Sequence, residues 1–233
     1  MALQLVFSSF FKALSQIGDP RFRRVLFIGI ALTFALLISI YAAFLWLIGG
    51  TGPENYTFPL IGEVTWLKDL ISWSSFALMT FLSVFLMVPV ASSITSMFLE
   101  DVAQAVEDEH YPHLPPADKV GFSTAARDTL SFLGLLIVAN IFALFLYIMM
   151  PFAALFIFWG LNGFLLGREY FQMVAMRRIG RKNAKILRKR HNGTIWLAGI
   201  LMAMPLSVPL LNLAIPIIGA ATFTHLFHML KDH

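Results

Sequence analysis

Long uncharged apolar runs constrain this chain more than any other feature of its sequence. No Asp, Glu, Lys or Arg occurs in Val25–Ile48 or in Leu70–Leu99. Each run is longer than the ~20 residues that a helix needs to cross a bilayer. Lipid offers no hydrogen bonds, so a crossing segment must satisfy its own backbone groups, as a helix does. Residues 20–99 are therefore predicted to form two long transmembrane helices of an all-α integral membrane protein.

The composition agrees with a membrane protein. The mean hydropathy is +0.77 and only 13% of the residues are charged, whereas soluble domains carry about 25%. The chain contains no cysteine, which excludes disulfides, cysteine-ligated zinc, iron–sulfur clusters and thiol nucleophiles. We expect residues 1–233 to form a single helical membrane domain.

The first 19 residues have the pattern of an amphipathic helix. Polar residues lie opposite apolar ones at helical spacing, the apolar set being Leu3, Val6, Phe7, Phe10, Phe11, Leu14 and Ile17. Such a helix typically lies in the plane of the membrane interface. We expect residues 1–19 to be interfacial, and the alternative is an ordinary helix packed on the protein.

Two later apolar blocks are broken by prolines. Residues 129–167 are interrupted by Pro151, and residues 194–230 contain Pro205, Pro209 and Pro216. The second block is too short for two full spans, so two half-depth helices joined by a turn fit it better. Both blocks are predicted to be helical hairpins that penetrate only part of the bilayer. The backbone polar groups at the tips of the hairpins must be shielded from lipid by other protein segments, within a bundle or an oligomer.

The distribution of basic residues predicts the topology. Residues 168–193 carry nine Lys and Arg, the segment up to Arg24 carries four, and the loop between the first two spans has only Lys68. By the positive-inside rule, residues 168–193 and 100–128 are cytoplasmic. The basic cluster also favours contact with anionic membrane lipid. It contains no aromatic platform, so we expect no nucleic-acid partner.

Motifs of enzymes and of nucleotide-driven transporters are missing. The chain has no HExxH, GxSxG or GxxxxGK[ST] sequence. His110 and His113 are predicted to be solvated loop residues. His225 and His228 are predicted to be a pair at the membrane interface with no functional role. Small-residue spacing predicts close helix packing at Gly160, Gly163 and Gly167. We expect no enzyme activity, no catalytic residue, no metal and no cofactor.

One placement of charge is unusual. Asp19 and Pro20 have the pattern of an N-cap and a first helical residue, and Arg21, Arg23 and Arg24 follow at once. A helix start repels cations, since it carries partial positive charge. Either the arginines only anchor the first span on its cytoplasmic side, or they hold an anion against the free N–H groups near Phe22. The pattern of residues does not separate these two interpretations.

Three stretches resemble CysZ-type sulfate permeases of bacterial inner membranes. The first is the interfacial helix followed by Pro20 and, within a few residues, Arg23–Arg24. The second is FWGLNGFLLGREYFQMVAMRR (158–178), and the third is MPLSVPLLNLAIPIIGAATFTHLF (204–227). In order and segment length the resemblance extends over nearly the whole chain.

The resemblance implies a multi-pass inner-membrane homo-oligomer that imports sulfate for cysteine biosynthesis. It implies two long transmembrane helices, two partly penetrating hairpins, and a site for sulfate or a related oxyanion at the start of the first helix. The substrate-binding residues would be Arg23 and Arg24, with Phe22 at the hydrophobic position and Arg21 where the family has glycine. A non-transporting membrane scaffold is the main alternative, and a membrane enzyme ranks third.

Overall fold

The described part of the chain is helical apart from one short pair of strands. The structure, a computed structural model, describes residues 2–51, 56–58, 62–64, 97–117, 122–208, 211 and 214–231. We name the helices α1 (Ala2–Ser15), α2 (Pro20–Thr51), α3 (Leu99–His110), α4 (Phe122–Met149), α5 (Ala154–Arg190), α6 (Asn192–Ala203) and α7 (Ile215–Lys231). Short 3-10 turns follow α4 at Pro151–Ala153 and α6 at Met204–Ser207. The strands β1 (Tyr56–Phe58) and β2 (Gly62–Val64) pair antiparallel.

The break between α1 and α2 is where the sequence predicts it. The backbone N–H of Asp19 donates to the carbonyl of Gln16 and closes a turn, and α2 begins at Pro20. The Asp19 carboxylate accepts a hydrogen bond of 2.7 Å from the backbone N–H of Arg21. The predicted N-cap is thereby confirmed, and the Asp19 carboxylate lies just before α2, beside the positive end of the helix.

Three described helices are long and apolar enough to cross a membrane: Pro20–Ala43, Leu130–Met149 and Pro151–Arg190. The last two are limbs of the predicted first hairpin, so their lengths also allow complete crossings, and partial penetration stays a prediction. Pro151 interrupts this block as expected. The predicted second long helix, Leu70–Leu99, lies outside the described residues except for its last three positions, 97–99.

The limbs of the second predicted hairpin are shorter. The helices α6 and α7 contain 12 and 17 residues, about 18 and 26 Å at the usual rise per residue. The hydrocarbon core of a bilayer is ~30 Å thick. These lengths are compatible with half-depth penetration, which stays a prediction.

The helix α7 forms the centre of the described fold. Every residue from Ile215 to His228 is buried, and α7 packs against α1, α3 and α5. The side of α1 that carries Val6 and Ala13 is buried, while Phe7 and Phe11 are exposed. The alternative, a helix packed on the protein, is thus present in the structure, and the interfacial role of residues 1–19 stays a prediction.

Large apolar side chains are exposed along α2 and α4, among them Phe27, Ile38, Ile141 and Leu144. A helix that is apolar on all sides is stable either inside a large core or in lipid. The exposed faces of these two helices therefore support a membrane location.

Glycines allow α5 and α6 to approach closely. A Cβ atom at Gly163 would lie 2.8 Å from the Cα of Ile200, and one at Gly167 would lie 2.6 Å from the carbonyl oxygen of Ile195. On α6, a Cβ at Gly199 would overlap the carbonyl oxygen of Gly163. The predicted close packing is confirmed for Gly163 and Gly167. Gly160 has only an ordinary contact with Trp196, at 4.0 Å.

The substitution Gly199→Ala is expected to lower the free energy of unfolding by about 1–3 kcal/mol, because the added methyl group forces the backbones of α5 and α6 apart. Thermal unfolding of the detergent-solubilised protein measures the change. Gly160→Ala is the matched control on the partner helix, and it should leave the melting temperature unchanged or raise it, since alanine favours helix. Equal melting temperatures for Gly199→Ala and the wild type would contradict the packing argument.

Candidate functional site

The start of α2 presents arginine side chains at the surface. Arg23 and Arg24 are exposed, and among the described residues no hydrogen bond or ion pair involves their side chains. Phe22 lies between them and Arg21 with its side chain only 2% exposed, as part of the hydrophobic core. Phe22 thus anchors the turn in the protein and leaves the guanidinium groups outside.

Backbone donors at this helix start are few. Pro20 has no N–H group, the N–H of Arg21 donates to the Asp19 carboxylate, and that of Arg23 donates to the Asp19 carbonyl oxygen at 3.1 Å. The N–H of Phe22 has no acceptor within the described part of the chain. An anion at this position would meet one backbone amide and the guanidinium groups, so most of its stabilisation must come from the side chains.

Arg21 differs from the other two arginines because it has a partner. Its Nη1 atom lies 2.7 Å from Oδ2 of Asp108 on α3, and the two side chains are 59% and 45% exposed. The other carboxylate oxygen of Asp108 accepts a bond of 2.7 Å from Gln104. The bonds from Gln104 and Arg21 hold the pKa of the Asp108 carboxyl below its usual value.

A buried ion cluster lies behind this surface. The Glu107 carboxylate is 1% exposed and forms a bidentate pair with Arg178, whose Nε and Nη2 atoms lie 2.8 and 2.7 Å from its two oxygens. Nη2 of Arg177 lies 3.6 Å from Oε2, and Nε2 of His228 lies 3.1 Å from Oε1. Because an ionised carboxylate only accepts hydrogen bonds, this nitrogen of His228 must carry the proton.

The cluster contains more donors than acceptors. Burial alone would raise the pKa of Glu107, but hydrogen bonds from His228 and Arg178 and the charges of Arg177 and Arg178 lower it to about 2. One carboxylate faces two guanidinium groups, and Nη1 of Arg177 is buried with no partner among the described residues. Glu107 is therefore ionised at neutral pH, and it is the only buried acid among the described residues that compensates these two guanidinium groups.

A single amide joins the buried cluster to the surface arginine. Nη2 of Arg177 donates to Oε1 of Gln104 at 2.8 Å, and Nε2 of Gln104 donates to Asp108. Asp108 in turn accepts from Arg21. The start of α2 and the interior of the bundle are thus connected by continuous hydrogen bonds through α3.

The histidines of α7 are also buried, so the expectation of a stray interfacial pair was wrong. His225 is 0% exposed and donates through Nε2 to Oε1 of Gln16 at 3.2 Å, while the Gln16 amide donates to Glu109 at 3.1 Å. The ring of His228 stacks on Tyr111 with centroids 4.2 Å apart. His110 and His113 are exposed, as the sequence predicts, but His110 is the last residue of α3 and its ring centroid lies 4.9 Å from that of His225.

Sequence reasoning missed Glu107 because the segment around it is mainly acidic. Its neighbours Val102, Ala103 and Val106 are buried at helical spacing, which defines an inward side of α3. Glu107 follows Ala103 by one helical turn and lies at the margin of that side. An acid at the edge of an apolar stripe was the available signal, but it does not identify the partner helix.

The substitution Glu107→Gln is expected to lower the free energy of unfolding by about 3–5 kcal/mol, because the buried guanidinium groups of Arg177 and Arg178 lose their counter-charge. Thermal unfolding in detergent measures this loss. The exposed neighbour offers a control, since Glu109→Gln makes the same chemical change and should cost less than about 1 kcal/mol. Similar losses from both substitutions would show that the cluster does not stabilise the fold.

Acid is expected to weaken the same cluster. Since folding lowers the pKa of Glu107 from 4.5 to about 2, its contribution is complete above pH 4.5 and is lost as the pH falls towards 2. A protonated Glu107 resembles glutamine, so the difference in melting temperature between wild type and Glu107→Gln should narrow over this interval. A difference that stays constant from pH 7 to pH 3 would contradict the assignment.

Comparison with known protein families supports the resemblance found in the sequence. A family model described as sulfate transporter CysZ/Etoposide-induced protein 2.4 matches residues 9–216. No curated protein matches the chain significantly. The matched residues include the start of α2, the residues of the buried cluster on α3 and α5, and the whole of α6. The chain therefore belongs to the sulfate transporter CysZ/Etoposide-induced protein 2.4 family.

Proposed function

We propose that this protein carries sulfate across a bacterial inner membrane into the cytoplasm, where sulfate feeds cysteine biosynthesis. The family to which the chain belongs supports a transporter of this type. The observation that carries the proposal is the pair of exposed arginines at the start of an apolar helix, with no carboxylate partner among the described residues. A homo-oligomer that encloses the path around the hairpins is part of the same proposal.

The oxyanion binds at Arg23 and Arg24 in this proposal. A guanidinium group presents paired donors that match a tetrahedral oxyanion, and two such groups compensate its two negative charges. The N–H of Phe22 supplies a backbone bond, while Arg21 stands where the family has glycine. Binding at this position offsets the repulsion between the arginines and the helix dipole, so the anion and the helix end stabilise each other.

The charges along the helices also fit an anion path. The candidate spans Pro20–Ala43 and Leu130–Met149 contain no acidic residue, whereas Pro151–Arg190 contains Glu169. A carboxylate facing the path would repel sulfate, so the two acid-free spans are the better candidates for lining it.

A non-transporting membrane scaffold is the second candidate. Arginines at the start of a span also serve as topology anchors whose long side chains reach the lipid headgroups. The exposure of Arg23 and Arg24 fits this role as well. A membrane enzyme ranks third, since transport-like family membership does not favour catalysis.

The double substitution Arg23→Gln with Arg24→Gln is expected to weaken sulfate binding at least about tenfold, because each charge-assisted hydrogen bond contributes about 1.5–3 kcal/mol. Equilibrium binding to the purified protein in detergent measures this, with chloride and phosphate as competitors at fixed ionic strength. Sulfate flux into liposomes provides the transport readout.

Lys182→Gln with Lys185→Gln is the matched control, since it removes two exposed positive charges from the basic segment of α5. It should leave sulfate binding unchanged. Equal losses of sulfate affinity in both double variants would show that only the overall positive charge matters. Unchanged sulfate binding in the arginine variant would show that the site lies elsewhere. No binding and no flux in the wild type would favour the scaffold. Because the chain lacks cysteine, single introduced cysteines can report that each variant keeps its orientation.

A further inference from the structure

We propose that Asp108 acts as an internal anion that occupies Arg21 and weakens substrate binding at the start of α2. The inference rests on the proposed function, and it assigns a regulatory role to a residue outside the arginine motif. Its basis is the ion pair between Nη1 of Arg21 and Oδ2 of Asp108, 2.7 Å long, between two half-exposed side chains.

The two partners of this pair are held very differently. Asp108 is fixed by Gln104, which is itself held by the buried Arg177. Arg21 uses one guanidinium nitrogen in its described contacts, and its long side chain is 59% exposed. The carboxylate is therefore the stationary member, and the guanidinium is the member that can turn towards an arriving anion.

The position of Asp108 makes it a competitor of sulfate. Arg21 is one helical turn before Arg24, so both arginines project from the same side of α2. An oxyanion that uses Arg21 together with Arg24 must replace the Asp108 carboxylate and must also approach its negative charge. Both effects reduce affinity, and the repulsion is larger for a dianion than for a monoanion.

A weakened site has a use in transport. A permeating ion must bind well enough to enter and weakly enough to leave. Three arginines and a backbone N–H at one helix start would hold sulfate tightly, and a tethered carboxylate that returns to Arg21 favours release. The same carboxylate keeps the charge of Arg21 compensated while the site is empty.

The substitution Asp108→Asn tests the inference, since it keeps the shape of the side chain and removes its charge. We expect sulfate to bind roughly two- to fivefold more tightly, the range that corresponds to one exposed charge pair, with a smaller gain for chloride. Tighter binding should arise mainly from slower dissociation. Asp108→Ser, which removes the carboxylate differently, should give a gain of the same sign.

Asp101→Asn is the matched control. Asp101 is exposed on the same side of α3, about two turns from Asp108, and its removal changes the net charge equally. Sulfate affinity should stay at the wild-type value. A gain equal to that of Asp108→Asn would overturn the inference, because the effect would then be one of overall charge.

The role of Arg21 is tested in a double-mutant cycle. In an Arg21→Gln background, the gain from Asp108→Asn should be smaller than in the wild type, since the competing contact is gone and only the repulsion by the Asp108 charge remains. A gain of equal size in the two backgrounds overturns the inference, as does unchanged or weaker sulfate binding by Asp108→Asn itself.

The outcomes separate this inference from the proposed function. If Arg23→Gln with Arg24→Gln abolishes sulfate binding while Asp108→Asn leaves it unchanged, only the role of Asp108 is overturned. If the wild type binds no sulfate, or if the arginine double variant binds it as the wild type does, the proposed function fails and the inference fails with it.

Discussion

The buried Glu107 carboxylate connects three helices of the described structure. It compensates Arg177 and Arg178 of α5 and accepts a hydrogen bond from His228 of α7. Ions inside a protein are costly unless they are paired with good geometry, so this cluster tolerates little displacement of α3, α5 or α7. The contact determines which side of α3 faces inward and holds the central helix between its neighbours.

The same constraint reaches the start of α2. The side of α3 opposite its apolar stripe carries Asp108, and Gln104 connects that carboxylate to Arg177. A short acidic helix thus has two electrostatic roles, one in the interior and one at the surface. At the surface, Asp108 forms an ion pair with Arg21, whereas Arg23 and Arg24 stay exposed beside the buried Phe22.

The family and the arginines support the same proposed function from different directions. Membership of the sulfate transporter CysZ/Etoposide-induced protein 2.4 family supports a transporter-type function, and the proposed oxyanion site at the start of α2 is chemically consistent with it. Arg21 adds a third positive charge to the start of α2. The ion pair with Asp108 balances that additional charge.

Features that depend on neighbours along the chain can be predicted from the sequence alone. Hydropathy and periodicity predict apolar helices, Asp19 and Pro20 predict the start of α2, and small-residue spacing predicts the close packing at Gly163 and Gly167. The burial of Glu107, His225 and His228 cannot be predicted in this way, because a polar residue is buried or exposed according to which helix packs over it. The segments that bury such a residue lie far from it in the chain, so the local periodicity of the sequence does not predict its burial.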